Sequence, residues 1–337
     1  MNTDLVTVVI PAYNAAATIR LALEALKRQT YPHCQVVVVD DGSTDQTPEI
    51  VRDFPFVEYI RQSNAGPAAA RNRGAAAARG KIIFFTDSDC IPEEDWIDRV
   101  MPFFADAGIG VVAGSYGIAN PEFLLARCVH REILFRHQRL MPLYPKVFGS
   151  YNFAIRKELF SRLEGFNEAY RRASGEDNDL SYRVIQAGFR IYFCREAKVR
   201  HFHPVSLRRY LAEQYRHGFW RALLYQDHSL RVSSDGYTFW KDMVEVGLVG
   251  LTALGLVGLF WRGGLLVLVS LSLLISLEIF YGVRVGHGLS EQIYLSWMMF
   301  LRAFARTFGF SSGIALFLWK KLRAKKSNKC CNPKCLC

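Results

Sequence analysis

The chain contains 337 residues, 50% of them hydrophobic, and carries a formal net charge of +11. This length allows one large domain or two ordinary ones, and the excess of positive charge favours an acidic partner such as a phosphate-bearing ligand or an anionic lipid surface. Four of the eight cysteines are scattered without a CxxC pair, at positions 34, 90, 128 and 194, which argues against a disulfide framework and fits a reducing compartment.

The chain falls into a polar first part and an apolar second part. The opening stretch MNTDLVTVVIP has no basic segment and only a short apolar run before Pro11. It lacks the features of a secretory signal peptide, so we expect the first part to stay in the cytosol. From Val244 onward the sequence becomes almost uncharged and strongly apolar.

The first 90 residues predict an alternation of strands and helices. Short runs rich in β-branched and aromatic residues indicate strands at 5–10, 35–39, 57–60 and 81–85. Helical patterns fall between them at 15–29, 46–54 and 68–78. This alternation predicts an α/β fold with a mostly parallel sheet and helices on both of its faces.

Polar residues cluster directly after three of these strands, at 11–14, 40–45 and 87–89. Ligands bind at the carboxyl ends of parallel strands, so the clusters indicate one site rather than separate solvated turns. No GxGxxG follows the first strand and no GxxxxGKS or GxxxxGKT occurs, which excludes a dinucleotide fingerprint and a P-loop. The two aspartates of DSD at 87–89 can instead hold Mg²⁺ or Mn²⁺, and the cation can bridge a diphosphate.

Four segments resemble one family as a set: VVIPAYNAAATIRLALEAL, VVVVDDGSTDQT, NAGPAAARNRGAAAARG and FFTDSDC. In this order and spacing they resemble the family-two inverting glycosyltransferases of the GT-A fold. The resemblance implies a nucleotide-sugar-binding domain, a nucleotide-diphosphate-sugar donor and a divalent cation. It also implies donor-side roles: Pro11 and Tyr13 line the base pocket, Asp41 meets the nucleobase, Arg71 lies near the ribose or diphosphate, Asp87 approaches the ribose, and Asp89 ligates the metal beside Asp87.

GSYNFAIR, residues 149–156, resembles the stretch of this family beside the acceptor. The resemblance implies acceptor-side roles for Ser150 and Asn152, since small and polar residues let the backbone approach a sugar. An ordinary strand preceded by a turn is the alternative interpretation.

SGEDNDL, residues 174–180, resembles the Glu-Asp motif of the family at a helix start. An inverting transfer needs a general base that takes the proton of the acceptor hydroxyl. We favour Asp177 as this base, with Glu176 as the alternative and Asp179 as a supporting acid. The same acids could instead precede and cap a helix at 180–187.

RHFHP, residues 200–204, contains two histidines in an extended segment. Some relatives in the family use a histidine here as a metal ligand, so we favour His201 over His203 for that role. Two satisfied structural histidines are the alternative, and the absence of nearby cysteines argues against a zinc site.

The second part of the chain predicts membrane segments. Residues 206–225 predict a helix with an apolar face and several arginines, which suits a membrane surface or packing on the catalytic domain. Residues 246–261 contain no charge and 265–283 contain only Glu278, so they predict a membrane hairpin. Two buried core helices are the alternative, and Glu278 would be costly inside a span unless it faces protein.

The C-terminal part is harder to interpret. Residues 293–319 are interrupted by Arg302 and Arg306, and they fit an interfacial helix followed by a re-entrant piece, or a third span. The basic tail at 320–337 favours no third crossing, and we expect it to be disordered, with palmitoylated or metal-binding cysteines as alternatives. Because basic residues cluster near the membrane segments, anionic lipid rather than nucleic acid is the expected partner.

These patterns predict a catalytic domain at 1–205, an interfacial helical linker at 206–243, a membrane region at 244–319 and a tail at 320–337. The expected activity is inverting sugar transfer to a hydroxyl of a lipid-linked saccharide or glycan precursor, at the cytosolic membrane face. A polyprenyl-phosphate glycosyltransferase is one alternative. A nucleotidyltransferase would need a Gly-rich basic loop, and none occurs near residues 10–20. A non-catalytic membrane-bound sugar-nucleotide sensor or scaffold is a further alternative, which loss of Asp89 or Asp177 would have favoured, but both are present.

Overall fold

A computed structural model of the chain describes residues 4–170, 175–227, 240–258 and 263–330. The described residues form two compact units, the first ending at Val205 and the second beginning at Ser206. The first unit is built on a β-sheet, and the second consists of helices.

The sheet of the first unit has eight strands. They are β1 (Val6–Ala12), β2 (Cys34–Asp40), β3 (Val57–Arg61), β4 (Ile82–Thr86), β5 (Cys90–Pro92), β6 (Ile109–Ile118), β7 (Asn152–Arg156) and β8 (Arg190–His201). Their spatial order is β3-β2-β1-β4-β7-β6-β8-β5. The four strands predicted from the sequence run parallel, whereas β7 lies antiparallel between β4 and β6 and β5 lies antiparallel to β8. The predicted α/β class is confirmed, with a sheet that is parallel over its first half and mixed beyond it.

Helices cover both faces of this sheet, as predicted. They are α1 (Ile19–Lys27), α2 (Thr47–Arg52), α3 (Pro67–Ala76), α4 (Trp96–Val100), α5 (Leu124–Arg139), α6 (Lys157–Arg162) and α7 (Glu176–Gln186), with a 3₁₀ turn at Met101–Ala105. Successive strand residues point to opposite faces, so Val8 packs with α1 and α4 while Val9 packs with α3 and α7. The alanine-rich α3 lies close to the sheet, since a Cβ added at Gly74 would come within 2.3 Å of Val9 Cγ1.

In the part of the second unit that the structure describes there are four helices, α8 (Leu207–Asp227), α9 (Trp240–Val257), α10 (Gly264–Val285) and α11 (Leu289–Cys330). Among the described residues, α10 is the one helix long and apolar enough to cross a membrane. The first arm of the predicted hairpin falls on α9 and on residues 259–261, which lie outside the described residues. The hairpin therefore stays a prediction. The expectation of a disordered tail at 320–337 is wrong for residues 320–330, which continue α11. Residues 331–337 lie outside the described ranges.

The segment at 293–319, which fitted either an interfacial helix with a re-entrant piece or a third span, lies within one continuous helix of 42 residues, α11. Arginine is a good helix former, so Arg302 and Arg306 do not interrupt this helix. Acidic residues of α9 pair with both of them. Arg302 contacts Asp242 and Glu245 at 3.3 and 3.1 Å, and Arg306 contacts Asp242 at 3.0 Å.

A network of three cations and three anions, buried at its centre, joins α9, α10 and α11. Lys241 of α9 pairs with Glu245 one turn later and lies 2.6 Å from Glu278 of α10. The exposed fraction of each of these three side chains is 1%. A buried charge is tolerated when it is paired, so the costly Glu278 expected from the sequence is neutralised inside the protein.

Helix α8 packs on α11 through glycines that let the two backbones approach closely. A Cβ added at Gly218 would lie 2.2 Å from the carbonyl oxygen of Arg306, and one added at Gly309 would lie 2.0 Å from that of Tyr215. Gly313 has the same close relation to Phe219, at 2.5 Å. Small residues at such contacts are typical of helices that pack in membranes. A helix at 206–225 was predicted from the sequence, but its packing on α11 was not.

We expect Gly309→Ala to destabilise the protein, because its new methyl group would overlap the carbonyl oxygen of Tyr215. Overpacking of this kind costs about 1–3 kcal/mol. The matched control is Gly250→Ala in α9, where an added Cβ meets nothing within 4 Å and where alanine stabilises a helix by up to about 1 kcal/mol. Thermal unfolding of both variants in detergent measures the difference. Equal melting temperatures would contradict close packing of α8 on α11.

Candidate active site

The parallel strands bring the three polar clusters to one edge of the sheet. Ala12 at the end of β1 pairs with Asp40 at the end of β2, and Val9 pairs with Phe85 near the end of β4. The segments that follow these strands therefore emerge side by side, as expected for the carboxyl edge of a parallel sheet.

Asp41 organises the turn that precedes α3. Its carboxylate accepts hydrogen bonds from the backbone N–H groups of Ala65 and Gly66, each at 2.8 Å, and from the Gln62 amide at 2.8 Å. Nearby, Tyr13 is 53% exposed and follows the half-buried Pro11. The edge thus offers an open aromatic ring beside a buried and fully engaged aspartate.

Arg71 of α3 is buried, with 2% exposure, and it joins two parts of the chain that are distant in sequence. Its guanidinium donates to Asp87 Oδ1 at 2.7 Å and to Glu176 Oε1 at 3.1 Å, and it lies over the Phe166 ring. Glu176 is 105 residues away in sequence, which explains why sequence reasoning missed this pair. The arginine therefore ties the DSD segment after β4 to the first turn of α7.

Helix α7 begins at Glu176, four residues before the predicted start at 180. The acids thus lie inside the first turn, where the helix dipole favours negative charge, and not ahead of the helix as a cap. Ser174 of the same motif is outside the described residues. Asp179 binds Arg183 one turn later, at 2.7 Å.

Among the acidic residues of this turn, Asp177 is the one whose pKa suits a general base near neutral pH. Its carboxylate accepts from the Asn178 backbone N–H at 2.8 Å and faces the Ser150 backbone N–H at 3.4 Å. Loss of surrounding water, together with the neighbouring Glu176 carboxylate, raises the pKa of Asp177 to about 7. By contrast, Glu176 has 1% exposure and is bound to Arg71. The geometry favours Asp177 over Glu176 for proton transfer.

Asn152, predicted on the acceptor side, is buried and holds the sheet together. Its Oδ1 accepts from the Trp96 indole at 2.8 Å, and its Nδ2 donates to the carbonyl oxygens of Ser115 and Ala197. Because both ends of the amide are satisfied within the protein, this geometry favours a structural role. Ser150 is also buried, but its backbone N–H faces Asp177.

Within the described residues, one group of three side chains has ligand atoms within 4.8 Å of one another, namely Asp89, Cys90 and His201. The pairing of β5 with β8 sets Cys90 opposite His201, and His201 Nε2 lies 3.5 Å from Asp89 Oδ1. Burial raises the pKa of the Cys90 thiol well above its usual value, so this residue stays protonated and is a poor ligand. Asp87 is not in the group, and its Oδ1 is bound to Arg71. A carboxylate suits both Mn²⁺ and Mg²⁺, and the imidazole as a second ligand favours the transition metal Mn²⁺ over Mg²⁺.

His130, which sequence reasoning missed, is the third histidine in a group with His201 and His203. His201 contacts His203, and His203 contacts His130 of α5, which is 73 residues away in sequence. Burial lowers the pKa of His203 to about 2 and that of His130 to about 4, so both rings are neutral. Tyr116 of β6 packs against His201 and His203, with ring centroids 5.3 and 5.8 Å away.

We expect Arg71→Met to destabilise the first unit strongly, because the substitution removes the guanidinium that binds the buried Glu176 carboxylate. Removing one partner of a buried ion pair costs about 3–5 kcal/mol. The exposed Arg79, which pairs with Glu58 at 3.7 Å, provides the control Arg79→Met, with an expected effect below about 1 kcal/mol. Adding Glu176→Gln to Arg71→Met should recover part of the loss in thermal unfolding. Additive effects of the two substitutions would contradict the bridge.

Comparison with known sequences identifies one family. The profile of glycosyl transferase family 2 matches residues 7–174. The pre-mycofactocin glycosyltransferase of Mycobacterium tuberculosis is 33% identical over 219 residues, which cover 62% of this chain and 45% of that protein. The O-antigen chain rhamnosyltransferase RfbN of Salmonella typhimurium is 30% identical over 215 residues, which cover 60% of this chain and 68% of RfbN. The chain thus spans about half the length of the first relative and two thirds of the second.

A solved structure has a similar fold. The mannosyltransferase PcManGT from Pyrobaculum calidifontis, solved in complex with GDP-Man and Mn²⁺, matches with a TM-score of 0.57 at 21% identity. The match covers 91% of this chain and 87% of that protein. The predicted GT-A fold is confirmed by this likeness. Together with the shared sequence, it leads to one conclusion: the chain belongs to glycosyl transferase family 2.

Proposed function

We propose that this protein transfers a sugar from a nucleotide-diphosphate sugar to an acceptor hydroxyl, with inversion at the anomeric carbon. One observation carries the proposal: the partly exposed Asp177, whose pKa is raised to about 7, belongs to a first helical turn that Arg71 ties to the DSD segment. Support also comes from relatives that are named as glycosyltransferases, and from a structure of similar fold that holds GDP-Man and Mn²⁺.

The donor is proposed to bind at the carboxyl edge of the parallel strands. The exposed Tyr13 offers a stacking face for the base next to Pro11, and Asp41 holds the turn at 62–66 that closes this region. Asp89 and His201 are the proposed metal ligands. When bound there, Mn²⁺ or Mg²⁺ neutralises charge on the leaving diphosphate.

Arg71 is proposed to contribute from behind the donor. Its guanidinium is buried and bonded to Asp87, so it acts by holding Asp87 in place. The contacts of Asp87 and Arg71 with the ribose or diphosphate that the family resemblance implies remain part of the proposal.

Asp177 is proposed as the general base. In an inverting transfer the acceptor oxygen attacks C1 while the C1–O bond to the diphosphate breaks, and Asp177 takes the hydroxyl proton. A base with a pKa near 7 suits a hydroxyl acceptor. A polyprenyl phosphate is already deprotonated at neutral pH and gains little from such a base, which makes this acceptor the second candidate.

The acceptor is proposed to be a lipid-linked saccharide or glycan precursor at the cytosolic face of a membrane. The apolar α10 and the glycine contacts of α8 with α11 support a membrane-bound second unit. Anionic lipids are proposed partners for its basic residues, and no nucleic acid is proposed. A non-catalytic sugar-nucleotide sensor would keep donor binding without needing a base such as Asp177.

We expect Asp89→Asn to abolish Mn²⁺-dependent nucleotide binding and sugar transfer, because it removes the carboxylate beside His201. Titration calorimetry with a panel of nucleoside diphosphates, with and without Mn²⁺, measures the binding. The control is Asp53→Asn, an exposed aspartate paired with Arg20, which should leave affinity unchanged. A variant at Asp89 with undiminished metal-dependent binding would remove this residue from the metal site.

We expect Asp177→Asn to keep nucleotide binding while kcat falls by about 10²–10⁴-fold. In the native protein the raised pKa means that the base is protonated below about pH 7, so activity should rise with pH through this value and then level off. The variant should lose this dependence. Unchanged turnover would move the base to another residue. Loss of both binding and turnover would point to misfolding and would count against a purely catalytic role.

A further inference from the structure

We propose that His203 and His130 position His201 for the metal, as a chain of imidazoles that sets which ring nitrogen of His201 can bind a cation. The proposal rests on the metal site of the proposed function. It assigns to His203 and His130 a role in the affinity for the cation, although neither residue is a ligand in it.

Three contacts arrange the rings in a line. His201 Nε2 faces Asp89 Oδ1 at 3.5 Å, while its Nδ1 faces His203 Nδ1 at 3.3 Å. The other nitrogen of His203, Nε2, faces His130 Nδ1 at 3.3 Å. His203 is 3% exposed and His130 is 8% exposed, so water does not compete freely for these nitrogens.

A neutral imidazole has one N–H donor and one lone pair, so each contact in the line needs a donor and an acceptor. In one direction, His201 Nδ1–H donates to His203 Nδ1, and His203 Nε2–H donates to His130 Nδ1. This leaves the lone pair of His201 Nε2 free on the side of Asp89. In the opposite direction, His201 Nε2 carries the proton and donates towards Asp89, and it cannot bind a cation.

The first direction is therefore the one compatible with metal binding, and His203 must accept for it to exist. The backbone of His203 is held on both sides by Asn120, whose Nδ2 donates to the His203 carbonyl at 2.8 Å and whose Oδ1 accepts from its N–H at 3.0 Å. Tyr116 packs against both rings of the extended segment. Substituting residues that hold a metal-binding histidine in this way typically lowers metal affinity by about 10–100-fold.

The test is the Mn²⁺ dissociation constant of the full chain, measured by electron paramagnetic resonance with Mn²⁺ alone. His203→Leu removes the acceptor, and we expect the dissociation constant to rise by about 10–100-fold. His203→Asn places an amide oxygen near the position of Nδ1, and it should restore most of the affinity. His130→Phe and His130→Asn form the same pair at the far end of the chain of rings, with a smaller expected difference.

The matched control is His137→Leu. His137 is a second buried histidine of α5, paired with Ser115 at 3.0 Å, and burial lowers its pKa to about 4 like that of His130. It lies outside the line of three rings, so the Mn²⁺ dissociation constant should not change. An equal loss of affinity in the His137 and His203 variants would overturn the proposal, since it would reflect general damage to the fold.

A second readout reports the proton positions directly. In protein with ¹⁵N-labelled histidine and bound Zn²⁺, a diamagnetic substitute for Mn²⁺ that accepts imidazole ligands, nuclear magnetic resonance should show His201 protonated at Nδ1 and His203 at Nε2. The opposite tautomers, or equal Mn²⁺ affinity in native protein and His203→Leu, would overturn the proposal while leaving the metal site intact. Equal Mn²⁺ affinity in native protein and Asp89→Asn would instead overturn the metal site, and this inference with it.

Discussion

The buried guanidinium of Arg71 is the constraint on which the site depends. A cation at 2% exposure needs anionic partners, and it finds them in Asp87 and Glu176. These two acids come from different ends of the first unit, one after β4 and one in the first turn of α7. By binding both, Arg71 sets the DSD segment and the acidic turn in a fixed relation. It also separates the roles of the neighbouring acids, because Glu176 is used in the bridge while its charge raises the pKa of Asp177.

The strands and the strand-end clusters were predictable because they depend on local patterns. β-branched runs, Pro11 and the aspartate-rich turns mark β1, β2 and β4, and the geometry of parallel sheets brings their ends together. The start of α7, the Arg71–Glu176 pair and the contact of His203 with His130 were not predictable in this way. They depend on residues between 73 and 105 positions apart, and no local periodicity reports such pairs. The family resemblance led to Asp177, and the structure adds a raised pKa that supports its proposed role as a base.

In the second unit, too, contacts between residues distant in sequence could not be predicted from local patterns. Arg302 and Arg306 interrupt an apolar pattern, and the sequence alone left a broken segment and a third span as alternatives. In the structure α11 continues through both arginines as one helix, and each has an acidic partner on α9. Glu278 of α10 is likewise paired with a charge on another helix, Lys241 of α9. Paired charges thus join α9, α10 and α11, and close contacts at glycines of α8 and α11 bring α8 against α11.

The proposed sugar transfer depends on a cation held between Asp89 and His201, with Asp177 as the acceptor of the proton. The most direct test is crystallographic: crystals of the protein soaked with Mn²⁺ and a nucleoside diphosphate, measured at a wavelength where manganese scatters anomalously. We expect an anomalous peak within coordination distance of Asp89 and of His201 Nε2, and the diphosphate oxygens should also lie within coordination distance of this peak. A peak elsewhere, or a bound nucleotide without manganese at this position, would contradict the proposal.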